Sequence, residues 1–501
     1  MLPMFSAYSE LQSIYAQLYR LGHVESILAW DRSAMMPPGG SRARTAAEAE
    51  FRRLIHGLRR QPRLAGLISQ AEDEPLDALQ RANLREIRRD WLEASALPES
   101  LIAASAQATA QCEHAWRDQR PANDWPGFME NFGEVLRLAR EEALRLSDRT
   151  GLAPYDALIE RYEPGMRMDV LDRMFDGLQG WLPDMVTAAM AMQERAPAIA
   201  PAGPFPLAAQ RELCRALAGT LGFDFNAGRL DESAHPFTGG VPEDVRITVR
   251  YREDDFLQAL NGTLHECGHG RYAQGLPREW LEQPLGRPRS FAIHESQSLF
   301  VEMQIGRSRA FAGVLAPMLG AHFGDRAGFD VDNLYRLMTR VAPGPIRVAA
   351  DELSYPAHII LRYEIERDLI GGEIEAGDIP ALWDEKMMRL LGVDTRGDFR
   401  DGCMQDIHWA KGAFGYFPSY ALGAMYAAQW FVSLRRDLEG PEECIANGRL
   451  KPIFDWLQAQ IWSQASRWET LELVRRVSGN ELDPSHLKAH LGARYLGWGG
   501  H

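Results

Sequence analysis

Cysteine is scarce and scattered. The 501-residue chain holds five, Cys112, Cys214, Cys267, Cys403 and Cys444, an odd number with no CxxC pair. That argues against a disulfide framework or a multi-cysteine metal site, and fits reduced thiols in a cytoplasmic protein. Positive charge is also short: 55 Lys and Arg face 69 Asp and Glu, a formal charge of −14. Nucleic acid and anionic membranes demand basic patches, so neither is expected as a partner. Residues 1–6 lack the basic segment and apolar run of a secretory signal. The uncharged stretch 412–434 is long enough to test as a membrane span. It opens with Gly412, Gly415 and Pro418 and contains Ser419, Tyr420, Gln429 and Ser433, so it reads as a loop entering a helix that lines a packed interior or cleft. Tandem repeats and low-complexity tracts are missing too.

What is present is helical periodicity. Leucine, alanine and charge recur at helical spacing over residues 9–30, 43–60, 77–94, 99–117, 128–146 and 168–194, and helices resume over 296–311, 332–341, 355–369, 381–391, 420–434, 453–464 and 471–478. Proline and glycine break the pattern at 35–40 and at 195–206, the second a hinge or a surface loop. Residues 244–251 differ, because Val245, Ile247, Val249 and Tyr251 alternate with polar residues as a half-buried strand requires. With 46% hydrophobic residues the chain can bury a large core, and its expected class is mainly α with a small β element.

Just after that strand, His265-Glu266-Cys267-Gly268-His269 spells HExxH. An α-helix turns once in about 3.6 residues, so imidazoles at i and i+4 leave one face, and the carboxylate beside the first reaches water on the same ion. Asp254 and Asp255 offer a helix start, with Phe256, Leu257, Leu260 and Leu264 at helical spacing. A catalytic zinc takes three protein ligands and keeps one position open, so a further ligand is required. His294-Glu295-Ser296-Gln297 supplies the candidate in Glu295. In this reading one zinc per chain, for which cobalt can substitute, sits on His265, His269 and Glu295, while Glu266 takes a proton from water and delivers it to a leaving amine. A strand ahead of such a helix is the working order of zincin peptidases, where a strand edge holds an extended peptide; an ordinary structural strand is the equal alternative.

The sequence resembles the thermostable, carboxypeptidase Taq type of metallocarboxypeptidase nearly end to end. The resemblance is carried by Trp30-Asp31 with Met35-Met36-Pro37-Pro38-Gly39-Gly40, by Pro154-Tyr155-Asp156-Ala157-Leu158 and by Tyr162-Glu163-Pro164-Gly165-Met166. It continues in His235-Pro236-Phe237, in the DxRxT pattern from Asp244 to Thr248, in HECGH and HESQ, in IRxxAD from Ile346 to Asp351, and in GxxQDxHW from Gly402 to Trp409. It implies a helical fold split by a long deep groove with zinc at its base, a homodimer, and removal of single residues from peptide C-termini. The whole of 1–501 is then one peptidase unit, a helical part of about 1–200 and a zinc-containing part of about 207–501 forming the groove. Trp462 and Ala465 depart from the family's histidine and glycine, and Cys267 replaces a larger apolar residue. Cys267 lies roughly opposite the ligand face of the helix and is no ligand.

The remaining roles have several candidates. A donor for the tetrahedral intermediate could be His235, Tyr355 or Tyr420. A guanidinium suits the substrate's terminal carboxylate. Arg347 is the first choice, at the blind end of the groove that the resemblance implies, with Gln405 and His408 as helpers; the alternative is a salt bridge to Asp351, four residues on. Arg246 is the second choice. Asp244 or Asp351 could orient a ligand histidine through its other ring nitrogen. An endopeptidase or oligopeptidase using the same zinc chemistry without an anchored C-terminus is the alternative function.

Overall fold

Side-chain capping sets where several helices begin. Asp77 accepts from the N–H groups of Leu79 and Gln80 while Gln80 reaches back to it, and Asp255, Ser290 and Ser308 each cap a later helix. The computed structural model describes residues 6–497; residues 1–5 of the N-terminal stretch read above lie outside the described residues. The first helices are α1 (Ala7–Ala34), α2 (Ser41–Arg59), α3 (Arg63–Glu72), α4 (Ala78–Ala96), α5 (Glu99–Gln119), α6 (Trp125–Thr150), α7 (Pro154–Ile159), α8 (Met168–Gln179), α9 (Leu182–Gln193) and α10 (Leu207–Thr220). Strands β1 (Gly228–Glu232), β2 (Phe237–Val241) and β3 (Asp244–Val249) follow. Then come α11 (Phe256–Gly275), α12 (Phe291–Leu299), α13 (Arg309–Phe323), α14 (Val331–Met338), α15 (Tyr355–Gly371), α16 (Ile379–Leu391), α17 (Pro418–Asp437), α18 (Pro441–Ala446), α19 (Lys451–Gln460), α20 (Thr470–Ser478) and α21 (Ser485–Leu496).

The class is mainly α with one small sheet, as expected, but two expected helices are divided. Residues 168–194 form α8 and α9, separated at Gly180 and Trp181, with Pro183 in the first turn of α9. Residues 296–311 belong to two helices. α12 starts earlier, at Phe291, and widens into a π-helical turn over Phe300–Gly306 before Ser308 caps α13. The 195–206 segment is a surface loop, tied by Ile199 N to Asn333 Oδ1 at 2.6 Å and by Arg326 to the carbonyls of Ala202 and Pro204.

The sheet has the order β1-β3-β2, with β1 parallel and β2 antiparallel to β3. Val245, Ile247 and Val249 are fully buried, which explains their alternation. The strand read from sequence as a peptide-holding edge is therefore the central one, paired on both sides. The edge strand beside the groove is β2, which a run containing Thr238, Gly239 and Gly240 did not advertise as a strand.

One large hydrophobic cluster runs from Leu101 to Tyr495 and includes α11, α12 and α17; α1 to α4 build a smaller one, from Tyr8 to Ile87. Along the chain one cluster gives way to the other between α4 and α5, and buried residues from Leu101 onward belong to the larger core. The uncharged 412–434 stretch becomes the loop and most of α17, with Leu422, Met425, Tyr426, Trp430 and Leu434 fully buried. Among the described residues no helix is long and apolar enough to cross a membrane. All five cysteines are free.

Candidate metal centre and groove

Helix α11 carries His265 and His269 one turn apart, with ring centroids 4.9 Å from each other. Glu295 faces them from α12, its Oε2 lying 3.8 Å from His265 Nε2 and 3.3 Å from His269 Nε2. The potential donor atoms of the three residues lie within 4.8 Å of one another. Both Nδ1 atoms are engaged elsewhere: His265 Nδ1 meets Glu302 Oε2 at 2.9 Å and His269 Nδ1 donates to the His294 carbonyl at 3.2 Å. Both Nε2 lone pairs are thereby directed into the space shared with Glu295. Two imidazoles and a carboxylate fit a catalytic zinc or a similar borderline dication.

The charges fit a cation as well. Burial works against a charge on His265, but Glu295, Glu302 and Glu266 outweigh it and raise the imidazole to about 10. Against its own burial, Glu295 is held down to about 2 by His265, His269 and His294. His294 itself is pushed down to about 3 by burial, and by His269 next.

Glycines let these helices meet. A Cβ on Gly268 would fall 2.4 Å from the Gln297 carbonyl oxygen, and one on Gly423 would fall 2.7 Å from Glu295 Cγ. α12, bearing Glu295, is therefore clamped between α11 and α17 at distances only glycine permits. Cys267 is fully buried in the core, on the side away from the ligands. Among the two departures, Trp462 Nε1 donates to Gln297 Oε1 at 2.8 Å, and Ala465 adopts φ 44°, a left-handed conformation that suits the family's glycine.

Glu266 lies beside the ligands and receives a 2.6 Å hydrogen bond from Thr238 Oγ1 on β2. Both face a cavity of about 780 Å³ that is also lined by His265, His269, Glu295, Phe291 and Tyr420. His235 is exposed in the loop before β2 and does not line that cavity, although Pro236 and Phe237 do.

Behind Tyr420 lies a second cluster. Arg347 is buried, its guanidinium carbon 4.9 Å from the Tyr420 ring centroid, and Tyr420 OH is 3.4 Å from His408 Nε2. Tyr355 packs edge-on to Tyr420, ring centroids 6.2 Å apart. Gln405 Oε1 accepts from Arg347 N at 2.7 Å. The partner of Arg347 is Asp406, not Asp351: Nη2 donates to Asp406 Oδ1 at 2.8 Å, while Arg362 Nε donates to the other oxygen at 2.7 Å. Asp351 instead accepts from the N–H groups of Ala342, Leu353 and Ser354, which organises its loop. Burial opposes the Asp406 charge, but Arg362 and Arg347 outweigh it and hold the carboxyl well below its ordinary range. His408 is pushed down to about 3 by burial and then by Arg347.

Two expectations meet other contacts in the structure. Arg246 is paired bidentately with Asp244 at 3.0 and 2.9 Å and stacks 4.1 Å from the Trp30 centroid; like Arg347, it is not among the residues that line the cavity. Neither Asp244 nor Asp351 touches a ligand histidine; Glu302 and the His294 carbonyl take those positions. Sequence reasoning missed Glu302, Thr238, Asp406 and Arg362. Glu302 had a signal, seven residues after Glu295 and hence on the same helical face; Asp406 stood inside a motif; Thr238 and Arg362 had none.

A helical fold carrying this donor set on i and i+4 histidines, beside a deep cavity, defines a metallopeptidase. The family model for Carboxypeptidase Taq (M32) metallopeptidase matches residues 10–495, and the chain belongs to that family. It is a metallocarboxypeptidase. Thermostable carboxypeptidase 1 of Thermus thermophilus is 38% identical over 502 residues, covering 98% of each chain. Carboxypeptidase 1 of Bacillus subtilis is 33% identical, covering 95% of this chain and 96% of that one. Among solved structures, Trypanosoma cruzi metallocarboxypeptidase 1 superposes with a TM-score of 0.96 at 44% identity, covering 98% of this chain and 99% of that one.

Proposed function

We propose that this metallocarboxypeptidase holds one zinc on His265, His269 and Glu295 and removes single residues from the free C-terminus of peptides. The carrying observation is the convergence of the Nε2 atoms of His265 and His269 on Glu295 Oε2, at 3.8 and 3.3 Å, with Glu266 alongside. A zinc bound there supplies Lewis acidity, which makes water more acidic and polarises the scissile carbonyl. Glu266 takes the proton from the attacking water and passes it to the leaving amine, and the Thr238 hydroxyl keeps that carboxylate turned toward the cavity. Of the three candidates for oxyanion support, Tyr420 is favoured because its ring lines the cavity beside the ligands.

Arg347 receives the substrate's terminal carboxylate from behind Tyr420. Two guanidiniums, Arg347 and Arg362, share the single carboxylate of Asp406, so the cluster carries one excess positive charge that a substrate carboxylate neutralises. Gln405 holds the Arg347 backbone in place, and His408 and Tyr355 both pack against Tyr420 beside it. The N-terminal and zinc-containing parts form the two walls of the groove. A cytoplasmic homodimer completes the reading, with the unpaired cysteines supporting the compartment and the family resemblance supporting assembly.

The test is a time course on one peptide as the free acid and as its amide, read by mass. An amide would leave the cluster's excess charge unpaired, at about 2–5 kcal/mol or thirty- to several-thousand-fold in rate. The free acid should shorten one residue at a time while the amide stays nearly intact, and Arg347→Ala should depress only the free-acid rate. Equal cutting of both at an internal bond would establish the endopeptidase alternative instead.

A further inference from the structure

We propose that Glu302 and Arg307, carried on the π-helical turn after α12, are positioning residues for His265, and that Arg494 of α21 holds that turn in place. One continuous helical run, α12 and the Phe300–Gly306 turn, brings both Glu295 and Glu302 to the site. Widening of a helix into a π turn costs regular hydrogen bonding and recurs where function demands a particular side-chain direction. Here it aims Glu302. One oxygen of that carboxylate faces His265 Nδ1 at 2.9 Å and the other accepts from Arg307 Nη2 at 2.7 Å. A carboxylate on Nδ1 fixes the tautomer that leaves the Nε2 lone pair free, and fixes the plane of the ring.

The turn is itself braced from far along the chain. Arg307 N donates to the Glu302 carbonyl at 3.0 Å, closing the turn. Arg494 Nη1 donates to the Met303 carbonyl at 2.7 Å, satisfying an acceptor inside it. The same Arg494 pairs with Glu352 at 2.7 Å, and Glu352 also receives Tyr495 OH at 2.9 Å and faces His490 Nε2 at 2.7 Å. Glu302, Arg307, Glu352 and Tyr495 are less than a tenth exposed, and the Arg494 side chain is 8% exposed. Glu302 itself favours a charge on His265, while the formal charges of Glu302, Arg307, Glu352 and Arg494 sum to zero, so the residues behind Glu302 contribute orientation. Each of these residues has at least one partner in the network, and among their donors Arg307 Nε is buried without one.

The inference rests on zinc being bound by His265, His269 and Glu295, and the experiment separates the two. Metal-stripped protein is titrated with zinc against a chromophoric chelator, the visible spectrum of the cobalt-loaded form is recorded, and unfolding of the metal-free form is followed. A wild type that binds no zinc removes the metal reading and this inference with it. With a zinc-binding wild type, Glu302→Gln, which offers one acceptor to two donors, should weaken zinc about ten- to a hundredfold and shift the cobalt spectrum. Arg307→Met should weaken it in the same direction, with Arg307→Lys recovering most of the loss, and Arg494→Met should loosen zinc without touching the site. Should Glu302→Gln fail to fold, the Arg307 pair decides. Variants that lower the unfolding midpoint but keep wild-type zinc affinity and spectrum would show that the network only packs, and would overturn the proposal.

Discussion

Gly423→Ala is the sharpest perturbation available, because it adds one methyl group where α17 meets the ligand helix. The added Cβ would stand 2.7 Å from Glu295 Cγ and 2.9 Å from Glu295 Cβ. Carbon atoms rest at about 3.5–4.0 Å, so roughly 1 Å must be created by moving Glu295 or by parting the helices. Parting them is resisted, since α12 and α17 form the most extensive contact between elements among the described residues, and overpacking of this kind costs about 1–3 kcal/mol. Moving Glu295 is the cheaper response, but ligand distances tolerate only about ±0.2 Å, and a misplacement near 1 Å costs on the order of a hundredfold in rate. The variant should therefore fold, bind zinc at least tenfold more weakly, and lose about a hundredfold in kcat/KM. Zinc titration and peptide hydrolysis read both effects. Gly313→Ala is the control, an exposed helical position where a Cβ meets nothing within 4 Å, and it should raise stability by about 0.4–1 kcal/mol with activity unchanged. A Gly423→Ala enzyme with wild-type zinc affinity and turnover would refute the argument that helix approach sets the ligand geometry.

Further outcomes follow from other sites. Glu266→Gln should keep metal and lose most turnover, whereas His269→Ala should lose both, as read by metal content and kcat; activity that survives exhaustive chelation would end the metal mechanism. Burial lifts the Glu366 carboxyl to about 7 despite hydrogen bonds from Gly415 N, Tyr155 and Trp409, while an unfolded glutamic acid titrates near about 4.3. The folded state binds a proton the unfolded state has released, so this contribution is full below about pH 4, declines as pH rises and is gone above about 7. Between about pH 5 and 8 the wild type should lose about 2–3 kcal/mol more than Glu366→Gln in denaturant titrations, and parallel pH profiles would contradict this. Ala465→Gly should raise stability by about 1 kcal/mol by relieving the positive φ, measured by the same titrations.

Local periods wrote part of this protein legibly in its sequence. The i and i+4 spacing of His265 and His269 is a property of a single helix, and the Asp255 cap and the alternation of Val245, Ile247 and Val249 are equally local. Helix class could be read because apolar positions recur along one face, while the break at Gly180 and Trp181 was hidden by a composition that continues helically through it. Motifs pointed to Glu295 and Arg347 but not to their surroundings. That Arg347 pairs with Asp406 rather than Asp351, that Thr238 holds Glu266, and that Glu302 rather than Asp244 backs His265 are contacts between segments tens of residues apart. No period encodes them, because they depend on how separate elements dock. The central place of β3 likewise required β1 and β2 to pair with it. Local spacing sets which side chains share a helix face and hence the metal-binding pattern, whereas the way those faces meet depends on tertiary packing, through glycine-sized approaches at Gly268 and Gly423.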